Sequence, residues 1–173
     1  MKMQSFNNRI KKSYLLLVVT CLFALHAFTQ HSEKEQSVMV TAVQFIHFGT
    51  FYLMGFSGGT ITVGFDGTRT STGGVILLAN APIAQPAIFE IKSCKGHKII
   101  ISFNPKTTLT SSNGGKLILD IGPTNRGING SGFSIKNDCN FIIPLRVGGT
   151  LHIPGTAPPG VYRGNFDFTC KQE

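Results

Sequence analysis

The chain has 173 residues, 42% hydrophobic and only 14% charged, with 20 glycines, no tryptophan and a formal net charge of +8. That length and apolar content suit one domain with a real core, and so little charge leaves the polar surface to Ser, Thr, Asn and Gly, a mixture that favours strands joined by turns. Of the 16 basic side chains, four fall in residues 1–29, which hold no acid; the other 12 stand singly against 8 acids, without the clustered stripe that nucleic-acid binding requires.

In chain order, the basic start (Lys2, Arg9, Lys11, Lys12) precedes an apolar run from Tyr14 to Phe28, broken only by Thr20 and His26. That run has the length of a signal peptide and is short of the ~20 residues that span a bilayer. Ala27-Phe28-Thr29 supplies a cleavage pattern before Gln30. Residues 1–29 are therefore expected to be a signal peptide, 30–37 a polar lead and 38–173 the domain. The mature chain would be exported to the periplasm, the cell surface or the medium, with no transmembrane span. Cys21 also raises lipidation, a weaker reading because Val18-Val19-Thr20 lacks the usual small residues before the cysteine.

Strands follow. Val38, Val40 and Ala42 alternate, and residues 44–48 run into Gly49. Residues 60–63 and 75–78 are expected to form a hairpin turning at Asp66-Gly67, with 68–74 as loop. Further strands are expected over 87–91, 98–103, 116–121 and 133–136, with 107–113 and 122–132 as connections. The closing stretch, Phe141 to Cys170, holds two apolar-alternating runs around a Pro/Gly-rich turn, and Phe166, Phe168 and Cys170 share one face by period two. No window repeats at helical spacing. About nine short strands separated by turn signals predict an all-β, immunoglobulin-like antiparallel β-sandwich. Four Gly-Gly pairs, at 58–59, 73–74, 114–115 and 148–149, each precede a β run and read as turns that open strands.

Residues that resemble chemistry fail on context. Gly55-Phe56-Ser57-Gly58-Gly59 satisfies G-x-S-x-G, but a nucleophile elbow needs a helix after its strand, and none is predicted. His31, His47, His97 and His152 stand alone, without a metal-ligand spacing. Asn129-Gly130-Ser131 matches the glycosylation sequon by coincidence in a Gly/Asn loop. No catalytic, cofactor or metal residue is expected. Phe51, Tyr52, Met54 and Phe56 cluster in a Gly-bounded stretch and are candidates for an exposed apolar patch.

The segment HFGTFYLMGFSGGTITVGFDGTRTSTGGVILL, with FIIPLRVGGTLHIPGTAPPGVYRGNFDFT, resembles the secreted bacterial domain-of-unknown-function family 4402: an FGTF element, a GGTxTV strand with a DGTR-like turn, and a closing GGTL…GxYxGxF run. The match spans roughly 38–170. Those domains look like relatives of fimbrial and spore-coat β-sandwiches, which implies a surface structural role and carries over no ligand residue. The expected function is thus structural, adhesive or pilus-like, without catalysis, the partners being other surface proteins or further copies met through sheet edges or an apolar patch. The alternative is a secreted module for carbohydrate or another small ligand, using residues 51–56 or the 122–132 loop.

Export leaves Cys94, Cys139 and Cys170, enough for one disulfide and one thiol. Three pairings exist. Cys94 and Cys139 lie beside turns where strand ends approach, so Cys94–Cys139 is favoured, while Cys170 sits on the Phe166/Phe168 face as a buried thiol. Tyr162, entering the last strand after Gly160, resembles the tyrosine corner of Greek-key sandwiches, in which the hydroxyl bonds nearby loop backbone.

Overall fold

A computed structural model describes residues 38–94, 98–136, 138 and 140–172. The expected signal peptide and polar lead lie outside the described residues. Thirteen strands make up the fold and no helix occurs among the described residues: β1 (Met39–Gln44), β2 (Phe51–Leu53), β3 (Gly59–Val63), β4 (Arg69–Gly73), β5 (Val75–Leu77), β6 (Ala87–Lys92), β7 (Lys98–Phe103), β8 (Lys106–Ser111), β9 (Lys116–Thr124), β10 (Gly132–Ser134), β11 (Ile143–Ile153), β12 (Tyr162–Arg163) and β13 (Phe168–Gln172). All pairs are antiparallel. The architecture is the expected all-β sandwich.

The eleven-residue β11 is the axis. One edge pairs with β9; the other pairs first with β6, through Ile143–Val147, and then with β3, through Gly149–Ile153. β1 extends this sheet beyond β6, β4 beyond β3, and β8 and β12 beyond β9. Gly148 stands at the handover from β6 to β3. A Cβ there would lie 2.6 Å from the Val63 carbonyl oxygen and 3.0 Å from the Phe65 nitrogen. The last Gly-Gly pair therefore serves close backbone approach inside a strand and not a turn, whereas Gly58, Gly73 and Gly114 do adopt positive φ.

Period-two burial explains the core. Leu117, Leu119 and Ile121 on β9, Ile143, Leu145, Val147, Leu151 and Ile153 on β11, and Ile61 and Val63 on β3 are all buried. Facing them, β10-β7-β13 forms a second sheet that buries Ile99, Ile101 and Phe103. The layers meet through rings: Phe89 of β6 stacks on Phe168 of β13 at 5.0 Å, with Phe166 edge-on at 6.1 Å. β2 and β5 form a separate two-stranded sheet.

Three expectations are corrected. Residues 69–73, taken as loop, are β4, the strand that returns along β3, while residues 75–77 pair with β2 instead. Of residues 107–113, also read as a connection, 107–111 belong to β8. Both are Thr/Ser-rich and so lack the apolar alternation that marks a half-buried strand, although Thr is a good strand former. The closing run is two strands in two sheets: β12 pairs with β8, and β13 with β7. Gly164 packs against Leu109 and the Thr108 carbonyl, and Thr107 Oγ1 donates to the Asn165 carbonyl at 2.7 Å, so the chain leaves the first sheet there.

Candidate functional site

Leu109, Leu117, Leu119, Leu151 and Ile153 of β8, β9 and β11 line one side of a cavity of about 1200 Å³. Two segments distant in sequence form its walls, residues 44–53 and 157–166. At the rim Phe45 is 81% exposed and Val161 69%, with Tyr52 half exposed. Several of the polar side chains along it bond main chain. Gln44 Nε2 donates to the Pro86 carbonyl at 2.7 Å, His47 Nδ1 accepts from the Gly49 amide at 2.8 Å, and Thr107 holds Asn165. Arg163 is the charged lining residue, and no carboxylate lines the groove.

β2 is itself an open edge. Leu78 N donates to the Thr50 carbonyl, Met54 N donates to the Gly74 carbonyl, and Tyr52 sits opposite Ile76. In an antiparallel pair alternate residues face the partner, so Phe51 and Leu53 turn their main-chain groups away from β5, on the groove side. No strand among the described residues pairs with them there.

The first wall is fixed by Arg69 of the DGTR turn. Asp66 Oδ1 accepts from the Thr68 amide at 3.0 Å and its hydroxyl at 2.7 Å, which closes the turn and holds the Asp66 carboxyl below its ordinary range. Arg69 Nη1 then donates to the Leu78 carbonyl at 3.0 Å and Nη2 to the Thr50 carbonyl at 2.9 Å. The guanidinium lies over Gly49, where a Cβ would come within 2.9 Å of its Cζ and φ is +72°. FGTF and DGTR are thus two halves of one clamp. Desolvation lowers the Arg69 pKa, but the group stays charged, and its Nε is buried without a partner.

The second wall is fixed by Tyr162. Its hydroxyl donates to the Pro158 carbonyl at 2.6 Å, four residues upstream, and Asn113 Nδ2 donates to the Pro159 carbonyl. Gly160 passes so close to Ser111 that a side chain would collide with its hydroxyl. Tyr162→Phe is expected to cost about 1 kcal/mol, the net worth of one hydrogen bond with a partly buried partner; urea denaturation with an unchanged midpoint would assign Tyr162 to packing alone.

Other candidate residues fall away from the groove or divide. Phe51 packs on the core, correcting its place in an exposed patch, whereas Met54 and Phe56 are 65% and 91% exposed. Of the expected 122–132 connection, residues 122–124 belong to β9 and Gly132 to β10; Thr124 Oγ1 donates to the Gly127 carbonyl, and Asn125 Oδ1 accepts from Arg146 N on β11. Ser57 is exposed between β2 and β3, with no helix after it. His152 points outward beside Asp120, Nε2 to Oδ2 2.8 Å, and Lys106 Nζ lies 3.4 Å from Oδ1. The His152 contact first, then Lys106, holds the Asp120 carboxyl below its ordinary value. Among the described residues no three His, Cys, Asp or Glu gather as metal ligands. His31 and His97 lie outside the described residues.

Cys94 is disulfide-bonded and Cys170 is a free thiol, while Cys139 lies outside the described residues. Non-reduced peptide mapping is expected to link Cys94 to Cys139; a Cys139–Cys170 peptide would refute that pairing. Burial pushes the Cys170 thiol up to about 11. Since the thiolate is the nucleophile, native alkylation at pH 8 is expected to run about 100-fold slower than for a cysteine of ordinary pKa ~8.5, and a free-cysteine rate would contradict the burial. Because the folded pKa is the higher one, this group's contribution to stability is full below ~8.5 and is lost as pH rises toward about 11.

No curated protein and no solved structure is significantly similar to this chain. The family described as "Domain of unknown function (DUF4402)" matches residues 38–171, a span that contains the Gly49–Arg69 clamp, the Tyr162 corner and the groove between them. This chain belongs to that family.

Proposed function

We propose that this protein is an exported, immunoglobulin-like sandwich with a structural or adhesive, pilus-like role at the cell surface, and that its groove receives an extended apolar segment of a partner protein. The observation that carries the reading is the apolar groove bordered by the open edge of β2. Unpaired amides and carbonyls on Phe51 and Leu53 ask for a strand, and apolar lining asks for apolar side chains at alternate positions. The chemistry offered is burial and strand pairing, not catalysis. Export is supported by the basic start and the apolar run before Gln30.

A carbohydrate module would need convergent free polar groups. Gln44, His47, Thr107 and Tyr162 are instead committed to main chain, which leaves Thr50, Tyr52, Arg163 and Asn165 as the polar lining side chains a sugar would have to use. The test is an amide-resonance titration of the purified domain with an alternating Val/Thr peptide and, separately, with oligosaccharides. Shifts at Phe51 and Leu53 with peptide alone are expected; shifts around Tyr52 and Phe56 with saccharide alone would return the ligand-binding alternative. In fractionated cells the chain should begin near Gln30 and travel with the surface, and a soluble cytoplasmic form beginning at Met1 would contradict export.

A further inference from the structure

A second open edge differs from the groove. Among the described residues, β1 closes one end of the large sheet and pairs with β6 alone. Its sequence, MVTAVQ, contains no charged residue and no proline, and it contributes no fully buried side chain. Met39 is 61% exposed and Val43 52%, and Phe45 follows directly. Sheet edges are normally protected by shortness, by charge, by Pro or by a bulge within the strand. Among the other open edges of the described residues, β4 carries Arg69, β13 carries Lys171, and β5, β10 and β12 have three residues or fewer; β2, equally short, is the edge assigned to the groove. The irregularity in β1 falls only at its end, after Ala42, so Met39–Ala42 form a straight ladder on β6.

We infer that β1 pairs antiparallel with β1 of a second copy of this chain about a twofold axis. The sequence is self-complementary in the register centred on Thr41. There Met39 faces Val43 of the second copy twice, Thr41 faces Thr41, and Val40 faces Ala42. The Thr41–Thr41 and Val40–Ala42 pairs lie in the straight part of the strand and each shares a face of the joined sheet, the exposed Met39 comes beside Val43 at the bulge, and no like charges meet. One six-residue strand buries less than the ~1,600 Å² of a standard interface, so the dimer is concentration-dependent and not permanent. The inference rests on the surface-assembly reading only in treating exposed apolar strand as contact surface, and it uses the outer edge of β1, whose last residues Ala42 and Gln44 also border the groove.

Sedimentation velocity of the purified mature protein over a concentration series tests it. The expected result is a monomer that shifts to dimer as concentration rises, with hydrogen exchange over residues 39–44 slowing in parallel. Thr41→Lys places two ammonium groups face to face at the twofold and should abolish the dimer without changing thermal stability. An equimolar mixture of Thr41→Lys with Thr41→Glu should restore it as a heterodimer, and Ile128→Lys, on an exposed loop, should leave it intact. A wild-type monomer at every concentration overturns the inference, including one whose β1 amides are already protected by the chain's own lead. So does a dimer indifferent to Thr41→Lys. If Val161→Lys dissolves the dimer and Thr41→Lys does not, association runs through the groove, and β1 is excluded while the proposed function stands.

Discussion

Replacing Arg69 with methionine is expected to destabilise the domain by about 3–6 kcal/mol, the worth of two hydrogen bonds from a charged group to main-chain carbonyls at about 1.5–3 kcal/mol each. The methionine keeps the aliphatic stem and removes only the fork that holds Thr50 and Leu78. Those two carbonyls flank the β2–β5 pair, so the loss should begin there. Amide exchange at Tyr52 and Ile76 should accelerate before that at Leu119 or Leu145. Gly49→Ala should reproduce the local effect, because a Cβ would push against the guanidinium and the residue sits at positive φ. Uniform acceleration across the whole fold, or none, would say that the clamp does not hold the groove's first wall.

Leu145→Ala should cost about 2–5 kcal/mol, the range for removing a fully buried leucine and leaving a cavity. Leu145 is wholly inaccessible, sits on β11 opposite Phe89, and lies where the large sheet meets the Phe166/Phe168 layer. In contrast with Arg69→Met, the denaturation midpoint should fall while the order of exchange among strands is preserved, since the whole sandwich shares this core. A cost below about 1 kcal/mol would mean that the two layers collapse to refill the space, against the close packing of interiors.

Where one face of a strand is buried, the sequence was enough. β11 alternates apolar and polar residues over Ile143–Val147, β7 and β9 bury every second residue although Ile100 and Ile118 fill the outward positions, and Phe166, Phe168 and Cys170 keep period two although the chain has changed sheets before them. β4 and β8 were illegible for a physical reason: as RTSTG and KTTLTS they carry Thr and Ser on both faces, so their strand character shows only through partners. Arg69 had a faint signal, a lone cation among Thr, Ser and Gly directly after a tight turn. Its partner Gly49 could not be read, because the contact spans two strands and needs the missing Cβ. Tyr162 was legible through its Pro-Pro-Gly setting. The groove was not, since it exists only where residues 44–53 and 157–166 cross the same sheet.

If the groove is the protein-contact surface proposed above, a partner protein must come within reach of its rim. The most direct measurement is a photo-crosslinking amino acid at Val161, on the groove rim, introduced in the native cells, with Ile128 as the control position. An adduct is expected in the surface fraction from position 161 and none from 128, with the crosslinked peptide belonging to a protein segment of alternating apolar residues. Surface material that stays uncrosslinked at 161, or carries saccharide on that residue, would contradict it.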